Sequence, residues 1–86
     1  MQIYFHTTFK KQLQKLPSPL QDKFQERLEL WLVDNTNPVL RVHLLKGRYS
    51  NYWSMNVTGD MRALYRYDGE EIVIFALIGT HSSLYG

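Results

Sequence analysis

The chain has no cysteine, so neither a disulfide framework nor a thiolate-bound zinc ion can organise it, and a reducing cytoplasm suits it. No stretch approaches the roughly 18 consecutive apolar residues of a membrane span, and the N-terminus lacks the apolar region of a signal peptide. A cytoplasmic protein with no membrane partner is expected. Glycine is scarce: Gly47 is the only one before residue 59, which excludes a glycine-rich phosphate loop. His6, His43 and His81 are the only histidines, and no His/Asp cluster has metal-ligand spacing, so no metal and no cofactor are expected. Repeats, low-complexity segments and linkers are also missing, as is any Ser-His-Asp set legible by spacing.

What remains is ordinary for one small globular domain: 86 residues, 44% hydrophobic and 21% charged. The net charge of +2 conceals an uneven distribution. Between residues 41 and 67, Arg41, Lys46, Arg48, Arg62 and Arg66 stand against Asp60 alone, a local balance of +4, while the remainder carries five basic and seven acidic residues. Such a basic half would steer a polyanion to one face, although a merely solvated charged face has the same composition.

In chain order, residues 1–6 read as a strand of β-branched and aromatic residues. Thr7 or Thr8 can cap a following helix in which Phe9, Leu13 and Leu16 form one apolar stripe, and Pro17 stops it. Ser18-Pro19-Leu20-Gln21 has the pattern of a capping box, with proline at the first helical position. The helix it opens carries Leu20, Phe24, Leu28, Trp31 and Leu32 at the 3.6-residue period, with Leu30 and Val33 off that stripe. The turn-forming segment 34–38 ends it.

Val39 to Lys46 looks extended, and Gly47 marks a turn. Trp53, Met55 and Val57 alternate with Tyr52, Ser54 and Asn56, and Met61, Ala63, Tyr65 and Tyr67 alternate with Arg62, Leu64 and Arg66. Thr58-Gly59-Asp60 reads as a hairpin turn, and Asp68-Gly69 as a two-residue one. The uninterrupted apolar run 72–78 fits a central strand buried on both faces, ended by a sharp turn at Gly79 that carries Thr80, His81 and Tyr85 over the sheet. The order β-α-α-β-β-β implies an α+β fold: a small, antiparallel-rich sheet with two N-terminal helices packed on one face and the other face at least partly open. Arg62 should project from the open face.

The element order, Leu45-Lys46-Gly47, the segment Asn56-Val57-Thr58-Gly59-Asp60-Met61-Arg62-Ala63-Leu64-Tyr65 and the ending Ile78-Gly79-Thr80-His81-Ser82-Ser83-Leu84-Tyr85-Gly86 resemble the RelE/ParE toxin superfamily. The Gly-Thr-His-x-x-Leu-aromatic ending is its most specific part and is similar to the YafQ-type branch of mRNA interferases. The resemblance spans essentially the whole chain. It implies a bacterial type II toxin that cleaves mRNA, usually on the ribosome, and that a cognate antitoxin silences. By the same resemblance His81 matches the C-terminal catalytic histidine, Tyr85 the aromatic that orients RNA, His43 the earlier histidine, Asp60 an acidic hairpin residue and Arg62 the sheet arginine of RelE. Two positions depart from the branch: Asn56 stands where it has a further histidine, and Leu77 where it has an arginine.

Ribonucleolysis suits this residue set. RNA carries its own nucleophile, the 2′-OH, so the protein must supply a base, a positive group for the pentavalent phosphorane and an acid for the departing 5′ oxygen. His43, His81 and Asp60 are the proton-transfer candidates, with acid and base undistinguished; Arg62 would stabilise the phosphorane and Tyr85 would stack on a base. Arg41, Lys46, Arg48 and Arg66 would bind the RNA backbone. A ParE-like gyrase poison is one alternative, against which the histidine ending argues. An inactive binder of RNA or antitoxin is the other.

Overall fold

The structure, a computed structural model, describes residues 1–85. It contains β1 (Gln2–Phe5), α1 (Thr7–Gln14), α2 (Ser18–Val33), β2 (His43–Leu44), β3 (Trp53–Thr58), β4 (Met61–Asp68), β5 (Ile72–Thr80) and α3 (His81–Tyr85). The sheet order is β1-β5-β4-β3-β2, with β1 parallel to β5 and every other pair antiparallel. The expected layout holds, with a two-residue edge strand and a C-terminal helix added to it.

α1 and α2 share one side of the sheet because their apolar stripes have a common destination. Phe9, Phe24, Leu28 and Trp31 close over Met55, Val57, Ala63, Tyr65, Val73 and Phe75 in one core. Edge-on and tilted ring packing fills its centre, with Phe9 and Phe24 centroids 5.2 Å apart and Tyr65 and Phe75 5.1 Å apart. Trp31 Nε1 donates to the Tyr65 hydroxyl at 3.0 Å, so the one polar pair inside this core is satisfied. Burial pushes the Tyr65 phenol up to about 12.

Several local expectations fail because a neighbouring group supplies a better partner. His6, rather than Thr7 or Thr8, caps α1: its Nδ1 accepts from Thr8 N–H at 3.1 Å. The capping box at Ser18 does not form. Ser18 is already helical behind Pro17, and Gln21 Nε2 donates to Leu16 O at 2.8 Å, tying the start of α2 to the chain leaving α1. Leu32 leaves the stripe and is exposed, as is Val33, whereas Leu30 packs on the core. The stretch from Val39 to Lys46 is mostly not extended; Pro38–Leu40 makes one helical turn, Arg41 is left-handed with φ 47°, and only His43–Leu44 pairs with β3. The connection after Asp68 is three residues long, not two, since Asp68 pairs with Ile72; Gly69 supplies its positive φ of 73°.

β5 also differs from its expected form. Val73, Phe75 and Ile78 are buried on the helix side, while Ile72, Ile74, Ala76 and Leu77 are half-buried, so only one face is closed. Pairing with β4 passes from Leu77↔Leu64 to Phe75↔Tyr65, which leaves Ala76 as a bulge and lets Phe75 and Ile78, three apart, face the same core. Beyond the end of β1, Gln12 Oε1 accepts Ile78 N–H at 2.9 Å, replacing the missing strand partner. Gly79 does not end the strand, which runs on to Thr80.

Candidate active site

The open sheet face is closed at one end by α3, and Gly79 makes that possible. A Cβ at residue 79 would lie 2.5 Å from Ser83 Oγ and at van der Waals distance, 3.5 Å, from Leu84 Cγ, so glycine lets the helix lie this close to β5 with the Ser83 hydroxyl in its place. The helix starts immediately after the strand because Thr80 caps it: its Oγ1 accepts Ser83 N–H at 3.1 Å, and Ser83 Oγ donates back to Thr80 O at 3.0 Å. His81 N–H donates to Asp60 O at 3.1 Å, pinning the same end to the β3–β4 turn. At the other end Tyr49 Oη and Arg48 Nη2 both donate to Leu84 O, at 2.8 and 2.9 Å, satisfying a terminal carbonyl. Leu84 is buried, next to a sheet face that includes the buried Leu64 and Ser54.

This small helix carries both C-terminal candidates. His81 and Tyr85, four residues apart, face each other with ring centroids 4.7 Å apart. Tyr85 in turn meets Tyr49 at 5.5 Å, and Tyr49 meets Tyr52 at 6.1 Å, giving a run of aromatics along the open face. Burial, then the neighbouring Tyr49 hydroxyl, raises the Tyr85 phenol above its ordinary value, while the Arg62 charge and the Ser54 hydroxyl pull it down. Ser54 Oγ acts on Tyr85 from nearby without a hydrogen bond of good geometry; among the described residues it is buried and has no partner.

Arg62 lies on the open face, opposite Asn56 on one side and Gly79 on the other. Its Nη1 donates to Asn56 Oδ1 and, at 3.2 Å, to Gly59 O, so the guanidinium is held at the α3 end of the sheet. Asp60 is exposed in the adjoining turn. His43 pairs across β2 and β3 with Ser54, which sets it on the same face. Its Nδ1 lies 2.8 Å from Arg41 O; a carbonyl only accepts, so Nδ1 carries the proton and a neutral ring leaves the Nε2 lone pair free.

His81, Arg62 and Tyr85 thus gather at one end of the face, with the Asp60 main chain bonded to His81 in the adjoining turn and His43 at the β2 edge. The basic residues divide. Arg66 is on the same face as Arg62 but four residues along β4, about 13 Å away at the rise of a strand. Lys46 is exposed before the Tyr49 turn. Arg48 spends one arm of its guanidinium on Leu84 O and lies 5.2 Å over the Tyr49 ring. Arg41 turns to the other side, where it lines a cleft of about 400 Å³ with Asn37, Trp53, Tyr65 and Tyr67. Tyr49 and Ser54 were not legible as site residues; for Tyr49 the only sign was an aromatic beside a basic residue in a glycine turn. Among the described residues no three His, Asp or Glu side chains gather to hold a metal ion.

A family model described as the bacterial toxin of type II toxin-antitoxin system, YafQ, matches residues 1–86. The chain belongs to the YafQ toxin family. Terminal Gly86, part of the ending that carries the likeness, lies outside the described residues. Among solved structures, YafQ from E. coli is 24% identical, with a TM-score of 0.79 over 98% of this chain and 97% of that one. The E. coli DinJ-YafQ toxin-antitoxin complex gives 24% identity and 0.76 over 98% and 96%. The RelB-RelE antitoxin-toxin complex from Methanococcus jannaschii gives 25% and 0.73 over 95% and 94%. No match to the chain is found among curated proteins. At the two positions singled out above, Asn56 accepts from Arg62 and fixes it, and Leu77, opposite Leu64, adds apolar surface to the open face.

Proposed function

We propose that this YafQ-family toxin is an endoribonuclease of the cytoplasm that cuts mRNA on the ribosome and is silenced by a cognate antitoxin. The observation that carries the reading is the meeting of His81, Tyr85 and Arg62 at the α3 end of the open face, held by the Gly79 approach, the main-chain bond from His81 to Asp60 in the adjoining turn and the Asn56–Arg62 pair.

In this mechanism the substrate's 2′-OH attacks the adjacent phosphorus. His43, whose Nδ1 is committed to Arg41 O, takes the hydroxyl proton at Nε2. Negative charge grows on the phosphorane oxygens as the bond forms, and the fixed Arg62 fork stabilises it without reorganising. His81 gives a proton to the departing 5′ oxygen, with Asp60 beside it in the turn. Tyr85, half-buried against His81 and Tyr49, offers its ring for stacking on a base. Lys46, Arg48 and Arg66 attract the RNA backbone. The antitoxin partner is supported by the DinJ-YafQ and RelB-RelE complexes of the structural relatives.

Primer extension on a translated mRNA tests the reading. New 5′ ends appear with the protein, are absent without it, and disappear when translation is blocked. Intact message at a protein concentration that stops bacterial growth would instead place the toxicity outside RNA cleavage.

A further inference from the structure

A second recess lies on the open face, away from α3. It has a volume of about 170 Å³ and is lined by His6, Thr8, Tyr52, Ala76 and Leu77. Three features make it more than a dent. Its floor is apolar, from Ala76 at the β5 bulge and Leu77. One wall is Tyr52, the last ring of the run that begins at His81 and passes through Tyr85 and Tyr49. Its rim holds one defined donor: His6 Nδ1 accepts Thr8 N–H in capping α1, so the neutral ring carries its proton on Nε2. The Thr8 hydroxyl, able to donate or accept, stands beside it. Continued by one residue, the β3–β4 register sets Tyr52 opposite Arg66.

We propose that this recess binds one nucleobase of the RNA strand, flanking the base that Tyr85 holds, and so selects which sequences are cut. The base stacks on Tyr52 above the Leu77 floor, its edge accepts from His6 Nε2–H and pairs with the Thr8 hydroxyl, and Arg66 meets the backbone phosphate beside it. A charged floor would have to be desolvated beneath the base; leucine removes that penalty. The site rests on the ribonuclease reading for its role, but base binding can be measured without cleavage.

Titration with each of the four nucleoside 5′-monophosphates, followed by the ring resonances of His6 and Tyr52 in NMR spectra, tests it. At least one of the four should shift both rings saturably. Tyr52→Leu should weaken that binding about fivefold or more through lost stacking. His6→Ser retains a cap side chain and therefore the helix, but loses the Nε2–H donor and should weaken the preferred base about two- to tenfold. In primer extension both variants should redistribute the cut sites. Unmoved His6 and Tyr52 rings with all four nucleotides, or unchanged affinity in Tyr52→Leu, would overturn the proposal. Absence of cleavage alongside saturable binding would overturn the ribonuclease reading and leave the base site standing.

Discussion

Replacing Gly79 by valine should detach the catalytic end of the molecule while leaving its core folded. The new Cβ would lie 2.5 Å from Ser83 Oγ and 3.5 Å from Leu84 Cδ2, and each γ carbon reaches about 1.5 Å farther. Turning the Ser83 side chain aside gives up its bond to Thr80 O and relieves only the first contact. With Leu84 already at van der Waals distance from the Cβ, the added γ carbons press on it and push α3 away. Undocking α3 exposes Leu84, worth about 1.5–3 kcal/mol, and loses the two hydrogen bonds at Leu84 O, about 0.5–1.5 kcal/mol each. Valine's preference for strands offsets up to about 1 kcal/mol. A net cost of about 1.5–6 kcal/mol follows, confined to α3 because the Phe9/Phe24/Trp31 core lies on the other face. Hydrogen exchange is the suitable assay: the Ser83 amide should lose its protection while Phe24 and Phe75 keep theirs. Gly79→Ala with Ser83→Gly, which removes the nearest atom, should restore most of it. Undiminished protection at Ser83 in Gly79→Val would refute the reasoning.

Asn56→Ala should leave the fold stable but release Arg62, slowing cleavage about tenfold or more, the worth of a hydrogen bond to a charged group; an unchanged single-turnover rate would show that Arg62 needs no such restraint. Tyr65→Phe strands the buried Trp31 N–H and should cost about 1–3 kcal/mol at neutral pH by urea unfolding. Because burial raises Tyr65 to about 12, the unfolded chain loses this proton first, so stability should fall as pH rises from 10 towards 12, and that part of the fall should be missing in Tyr65→Phe. Affinity for ribosomes should drop steeply with added salt through Lys46, Arg48 and Arg66, and a flat response would remove the electrostatic account of RNA attraction.

What could be read from sequence was what depends on period and turn chemistry. Phe24, Leu28 and Trp31 face the core as their spacing requires, and the β3–β4 alternation sets Arg62 on the open face. What could not be read depends on which of several possible partners a group finds once the chain has folded. Gly79 resembles a turn residue until α3 is seen lying on it. Gln21 belongs to a good capping box, yet its side chain turns to donate Nε2–H to Leu16 O and does not reach back to Ser18 N–H. His6 caps a helix only because β1 delivers it there. The α3 helix is too short to show periodicity, and Tyr49 and Arg48, which hold its Leu84 carbonyl, are more than thirty residues away in sequence. The candidate residues were therefore visible while the contacts that assemble them were not.

The central claim is that His81 performs chemistry, and His81→Gln tests it most directly. The side chain is exposed and donates no bond that the fold needs, so the variant should unfold within about 0.5 kcal/mol of the wild type. Single-turnover cleavage of ribosome-bound message should fall by roughly 10²-fold or more with ribosome binding retained. Wild-type cleavage by the folded variant would contradict the account and leave proton transfer to His43 and Asp60.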